Sequence, residues 1–148
     1  MNDTVQILQD LVRNTRTGRD AAEELMQRSD SPGMRRELNG EREGYLALQR
    51  EAEKALRSAN GEPEPTGMMA RAGMKLGLEI NTLVDRSDDH IAEMVIQGAT
   101  MGIIEMTKSM NTYTEAEPFA RSLASSFIVQ QNEIIERQKS YLENPSRA

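Results

Sequence analysis

A glutamate placed among apolar residues at helical spacing is the first position in this sequence to which chemistry can be assigned. Glu41 has Met34 and Leu38 before it and Tyr45 and Leu48 after it, all separated by steps of three, four or seven residues. Such steps return to the same face of a helix, so we expect the Glu41 side chain to point inward with its neighbours. A polar group turned into a core must be paired or functional.

A second glutamate, Glu105, follows the same pattern after Ile91, Gly98 and Gly102. Hard cations in helical bundles are held by clustered carboxylate oxygens from facing helices. One hypothesis is therefore that Glu41 and Glu105 are ligands of iron or manganese in a redox-active di-metal site, with Tyr45 nearby.

The competing hypothesis is that the inward polar groups satisfy one another and need no cofactor. In this interpretation Arg19 neutralises Glu41 across the first helix pair, and two glutamines complete a hydrogen-bonded network. We favour it because buried charges are usually paired. The predicted inward polar network comprises Arg19, Glu41, Tyr45, Glu105, Gln131 and Gln138.

The histidine and cysteine content argues against the usual chemistry of metal-binding bundles. These proteins use two Glu-x-x-His pairs, whereas this chain has one histidine, His90, and no cysteine. His90 follows Asp88 and Asp89 at the start of a predicted helix, where a solvated imidazole is expected. The sequence contains no nucleophile signature, phosphate-binding glycine loop or zinc spacing. We therefore predict no catalytic residue.

The composition and periodicity predict four long helices and a connecting segment in one domain, residues 1–148. The chain has 148 residues, five prolines and no tryptophan, and it is rich in good helix formers. Gly18 inside the first helix indicates close packing at that point. We predict helices over about 4–28, 32–59, 88–110 and 115–142, a partly helical crossover over about 60–86, and a frayed tail over about 143–148.

Several short patterns predict where these helices begin and end. Ser31-Pro32 is typical of a cap followed by a first helical residue, and Asn60-Gly61 is typical of a helix end. The segment from Thr114 to Glu117 has the form of a capping box. We expect it to start the last helix.

The charge and the apolar pattern exclude two classes of partner. The chain has 24 acidic and 18 basic side chains, a net charge of −6, which disfavours nucleic acid. The most apolar stretch, 91–110, is interrupted by Glu93, Glu105 and Lys108, so we predict no membrane insertion. The start of the chain has no signal-peptide pattern, and a cytoplasmic location is the expectation.

The helix predicted over 88–110 is apolar on almost every side, including Ile96, Ile103 and Ile104. The crossover or a second subunit must cover this surface, so we expect a homo-oligomer, with a dimer favoured. The ten methionines offer another possibility, because Met-rich surfaces adapt to apolar ligands. A binding pocket of that kind would be roomy, with methionine walls.

A family resemblance rests on turns and spacing along nearly the whole chain. Its features are Asn2-Asp3-Thr4, Leu8-x-x-Leu11, Gly18, Ser31-Pro32, Gly61-Glu62-Pro63, the Met- and Gly-rich crossover and Asp88-Asp89-His90. Together they resemble a bacterial family of ferritin-like four-helix bundles of unknown function, distantly related to rubrerythrin. The relatives that bind metal use Glu and Glu-x-x-His ligands, but here position 44 is glycine and Gln131 is followed by Ile134.

These observations and the resemblance together predict an all-α, ferritin-like antiparallel four-helix bundle with a helical crossover between its second and third main helices. The predicted role is a non-catalytic interaction or stress-related protein with a degenerate metal site. The alternative is a metal-binding, redox-active bundle that uses Glu41 and Glu105.

Overall fold

The computed structural model describes residues 2–63, 80 and 83–143, and these residues form four α-helices and no strand. The helices are α1 (Asp3–Arg28), α2 (Pro32–Ser58), α3 (Asp88–Thr112) and α4 (Pro118–Lys139). The prediction of an all-α protein with four main helices is confirmed. Most of the predicted crossover, and the tail after Glu143, lie outside the described residues.

Three of the helices begin at a side-chain cap. Asn2, Ser31 and Ser87 each accept a hydrogen bond from a backbone N–H in the first turn of the helix that follows, at 2.9, 3.3 and 3.2 Å. Such bonds satisfy one of the four N–H groups that a helix start leaves unpaired. The predicted starts of α2 and α3 are confirmed.

The predicted start of the last helix is wrong. The helix begins at Pro118 with Glu117 as its cap residue, and no side chain caps it. In a capping box, the Thr114 hydroxyl would accept the N–H of Glu117, but that N–H donates to Thr4 Oγ1 at 2.8 Å instead. The start of α1 therefore holds the α3–α4 link, and the proline supplies a backbone angle suited to the first helical position.

The end of α2 has the hydrogen bonds of a Schellman motif. The N–H of Gly61 donates to Leu56 O at 2.9 Å, and that of Asn60 donates to Arg57 O at 3.0 Å. Asn60 adopts the left-handed conformation this motif needs, with φ of 62°. A side chain at Gly61 would collide with Leu56 and Val5. The stop predicted at Asn60-Gly61 is confirmed.

α1 packs most extensively on α2, and α3 on α4. Gln9, near the start of α1, donates to Glu62 O just beyond the end of α2, at 2.8 Å. Arg121, near the start of α4, donates to Met110 O near the end of α3, at 3.1 Å. These hydrogen bonds join the start of α1 to the residues just after α2, and the end of α3 to the start of α4.

The two pairs meet along a shared interior. α1 contacts both α3 and α4, and α2 contacts α4. Ser109 Oγ of α3 donates to Asp10 Oδ2 of α1 at 2.7 Å, which joins the two pairs near one end of the bundle. Among the described helices, none combines the length and the apolar character that crossing a membrane requires.

The buried apolar side chains form two clusters. The larger includes Leu11, Tyr45, Leu56, Met106, Phe127 and Ile134. The smaller lies toward the end of α1 and the starts of α2 and α3, and includes Leu25, Met34, Leu38, Ile80, Leu83 and Ile91. Buried polar residues lie between the clusters along α2 and α4, where Glu41 separates Leu38 from Tyr45 and Gln138 follows Ile134.

Candidate polar site in the bundle interior

Glu41 is the most deeply buried carboxyl group among the described residues, with 3% of its surface exposed. The helical spacing that predicted its inward direction is realised in α2, where Leu38 and Tyr45 are also buried. Gln138 of α4 is fully buried opposite it, and Gln138 Nε2 donates a hydrogen bond to Glu41 Oε2 at 2.6 Å. The Gln138 amide therefore links α4 to α2 through the Glu41 carboxyl.

Burial determines the protonation state of this carboxyl. It raises the pKa of Glu41 from its ordinary value of 4.5 to about 8, because the charged form loses its hydration. The hydrogen bond from Gln138 lowers this pKa in part, and the nearby charge of Glu37 raises it further. Glu41 is therefore mostly neutral at pH 7.

A second carboxyl lies one helical turn before Glu41. Glu37 shares a side-chain hydrogen bond with Glu41, and its Oε2 atom also lies 3.2 Å from Arg137 Nε. Arg137 immediately precedes Gln138 on α4. Two neighbouring residues of α4 thus bind two carboxyls of α2. Arg137 and Glu37 form an ion pair near the surface, and Gln138 and the neutral Glu41 form a hydrogen bond in the interior.

Glu37 and Arg137 are not among the site residues predicted from the sequence. The four-residue step from Glu37 to Glu41 was a usable signal, since such neighbours lie one above the other on a helix. Arg137 offered no comparable signal, because its position depends on how α4 packs against α2.

Tyr45 and Gln131 form the next polar contact along the same two helices. Tyr45 Oη donates to Gln131 Oε1 at 2.9 Å, and both residues are almost completely buried. Burial raises the pKa of the Tyr45 hydroxyl, which therefore stays neutral. Gln131 Nε2 is also buried, and it has no hydrogen-bond partner in the described part of the chain.

Gly18 explains how the Tyr45 ring reaches the interior. A methyl group added at Gly18 would collide with the ring carbons of Tyr45. The close packing predicted at Gly18 is therefore confirmed, and α1 passes directly over the ring at this point.

The expected pairing of Arg19 with Glu41 is wrong. Arg19 donates to Gln49 Oε1 at 3.0 Å and to Asp20 Oδ1 at 2.9 and 3.1 Å. The expectation assumed that residues equally far from the α1–α2 link would lie level. Gly18, next to Arg19, meets the ring of Tyr45, but the long Arg19 side chain extends to Gln49, which is about two helical turns from Glu41 along α2.

Glu105 lies in the middle of α3 and is half-buried. Glu41, Tyr45, Gln131 and Glu105 all line one cavity of about 70 Å³ between α1 and α3. The structure therefore places the two predicted metal ligands at the same cavity. Arg19 and Gln138 are not among the described residues that line it.

The donor set does not fit a di-metal site. The described residues contain no group of three or more His, Cys, Asp or Glu side chains that could hold a metal ion. One of the two candidate ligands, Glu41, already accepts a hydrogen bond from Gln138 through its Oε2 atom. Two carboxyls in this arrangement do not supply the four or more protein ligands that such sites use.

The cavity does not fit the methionine-lined ligand pocket considered above. Its described walls include two methionines, Met94 and Met101, and a volume of about 70 Å³ is far below the roughly 300–1,000 Å³ of pockets for drug-sized ligands. Met68, Met69 and Met74 lie outside the described residues.

His90 lies in the first turn of α3, away from the residues that bind Glu41. Its Nδ1 atom is 3.8 Å from Glu93 Oε2, and the side chain is 38% exposed. Among the described residues, the interior site consists of carboxyl, amide and phenol groups joined by hydrogen bonds. Comparison of the chain with protein-family models, curated proteins and solved structures found no match.

Proposed function

We propose that this protein is a ferritin-like helical bundle that acts as a non-catalytic interaction protein, with a degenerate metal site at its centre. The observation that carries the proposal is the hydrogen bond from Gln138 to the neutral Glu41 carboxyl. In a metal-binding bundle a carboxylate at such a position would be charged and directed to the ion. Here the carboxyl joins α2 to α4.

The directions of the helices support a ferritin-like connectivity. α1 runs opposite to α2, and it also runs opposite to α3, because Thr4 contacts Glu117 and Asp10 contacts Ser109. α2 and α3 would then point the same way, so that the end of α2 and the start of α3 lie at opposite ends of the bundle. α2 is about 40 Å long, and the 28 residues that follow Ala59 up to Ser87 cover that distance even if helical.

The outer surface of α3 supports an interaction role. Met101 and Ile104 are 42% and 49% exposed, and they lie three residues apart on the same helix. Exposed apolar side chains next to each other are typical of association sites. We propose a homodimer formed through this part of α3. The net charge of −6 disfavours nucleic acid as the partner, and a bacterial, cytoplasmic setting stays a prediction from the sequence.

Metal analysis of the protein as purified from cells tests the degenerate site. We expect less than stoichiometric iron and manganese in the unmodified chain, and no change in Glu41→Gln or Glu105→Gln. Stoichiometric metal that both substitutions remove would overturn the proposal. It would support the alternative, a metal-binding bundle, whose two candidate ligands Glu41 and Glu105 line the same cavity.

Light scattering coupled to gel filtration tests the association. We expect a dimer that Ile104→Lys converts to a monomer. The matched control is Val129→Lys on α4, which removes an equally exposed apolar side chain on another helix and should leave the dimer intact. A monomeric unmodified protein would contradict the interaction surface on α3 without affecting the conclusion about metal.

A further inference from the structure

The residues that line the cavity between α1 and α3 include apolar side chains and polar side chains from α2 and α4. Ala99 and Phe127 are among its apolar lining residues, and Glu41, Tyr45 and Gln131 are among its polar lining residues. Purely apolar cavities stay dry, but a cavity with two to four polar partners retains water. The composition of these walls therefore indicates what occupies the space.

Gln131 has a buried hydrogen-bond donor that lacks an acceptor among the described residues. Its surface is 1% exposed and its Oε1 atom accepts the Tyr45 hydroxyl, but its Nε2 atom has no partner in the described residues. The missing group must be a hydrogen-bond acceptor. Tyr45 Oη has already used its proton and can itself accept a hydrogen bond. An occupant that accepts a hydrogen bond from Gln131 Nε2 can therefore also donate one to the neighbouring Tyr45 Oη.

The size of the cavity restricts the occupant to very small molecules. A volume of about 70 Å³ is roughly half that of an engineered cavity that binds benzene, and it is enough for about two water molecules. We propose that this cavity binds internal water, with one molecule accepting a hydrogen bond from Gln131 Nε2 and donating to Tyr45 Oη or Glu41. This inference does not depend on the proposed interaction role.

Magnetization transfer from water to the Gln131 side-chain amide tests the proposal directly on the full ¹⁵N-labelled chain. We expect nuclear and rotating-frame Overhauser peaks between water and this amide whose ratio indicates a residence time longer than the tumbling of the protein. If these peaks are absent from a resolved Gln131 amide signal, the cavity is dry and the proposal is overturned.

A second test compares one cavity-filling substitution in two backgrounds. Ala99→Val adds volume at the cavity wall, and Gln131→Met replaces the amide by an apolar group of similar shape. If water serves Gln131, we expect Ala99→Val to lower the melting temperature of the unmodified protein, because it displaces the partner of Nε2. The same substitution in the Gln131→Met background should have no effect or raise the melting temperature. An equal shift in both backgrounds, of either sign, would overturn the proposal.

Discussion

Tyr45 and Gln131 are 86 positions apart in the sequence, yet their side chains meet in the interior, with Tyr45 Oη 2.9 Å from Gln131 Oε1. This hydrogen bond links α2 to α4 and therefore joins the α1–α2 pair to the α3–α4 pair. The Gln138 amide makes the equivalent link two turns further along α4, to Glu41. The polar layer thus connects the two halves of the bundle at two heights.

Tyr45→Phe removes one of these links. The Gln131 Oε1 atom then loses its donor inside the core, and we expect a loss of about 1–3 kcal/mol in the free energy of unfolding. Urea unfolding followed by circular dichroism measures it. Tyr113→Phe, in the half-buried α3–α4 link, is the control and should have a much smaller effect. Equal effects of the two substitutions would contradict the importance of the Tyr45 hydroxyl.

Glu41 gives the stability a definite dependence on pH. Its pKa is about 8 in the folded protein and 4.5 in the unfolded chain, so between these values only the folded state keeps the proton. The stabilisation is complete below pH 4.5, decreases as the pH rises toward 8, and is lost above that value. Between these pH values the contribution of Glu41 to the free energy of unfolding decreases by on the order of 5 kcal/mol.

Glu41→Gln tests this dependence because the amide resembles the protonated carboxyl. It can still accept from Gln138 and donate to Glu37, and it cannot ionise. We expect urea unfolding of this variant to be nearly constant from pH 5 to 8 and the variant to be more stable than the unmodified protein at pH 8. The control is Glu51→Gln on the exposed side of α2, which should retain the slope. If the stability of the Glu41→Gln variant still decreases as the pH rises, other groups cause the pH dependence.

Two glycines in the helices should respond in opposite ways to alanine. Gly18→Ala places a methyl group against the Tyr45 ring, and we expect a loss of about 1–3 kcal/mol in the free energy of unfolding. At Gly40 there is no atom within 4 Å of the added methyl, so Gly40→Ala should stabilise α2 by up to about 1 kcal/mol. Thermal unfolding distinguishes them. Stabilisation by both substitutions would show that Tyr45 moves without cost.

Asn60 should respond to substitution according to its backbone conformation. Its φ of 62° favours glycine, so Asn60→Gly should be neutral or stabilise the protein by up to about 1 kcal/mol. Asn60→Ala should destabilise it by about 1 kcal/mol, because alanine adopts this conformation less readily. Chemical denaturation of the two variants gives the comparison. A more stable alanine variant would contradict the Schellman geometry at the end of α2.

The sequence predicted most helix bounds well because apolar spacing and helix caps depend on residues close together in the chain. The apolar spacing around Glu41 and the Ser31 and Ser87 caps depend on residues within one or two turns. The start of α4 failed because the group that binds Glu117 is Thr4, 113 positions earlier. No local pattern contains that contact.

The candidate site was predictable in its members but only partly in its pairings. Helical spacing turned Glu41, Tyr45, Gln131 and Gln138 inward, and all four are buried. The partner of Glu41 depends on the register between helices, which the spacing along one helix does not determine. The Arg19 side chain extends along α2 to Gln49, and Glu41 accepts its hydrogen bond from Gln138 of α4 instead.

The buried Glu41 carboxyl also couples folding to the uptake of a proton from the solution. At pH 7 a group with a pKa near 8 is about nine-tenths protonated, whereas the same group in the unfolded chain is almost fully ionised. Each molecule that folds in neutral solution therefore withdraws nearly one hydrogen ion from its surroundings. A weakly buffered sample containing an indicator dye would turn slightly more alkaline as the bundle assembles.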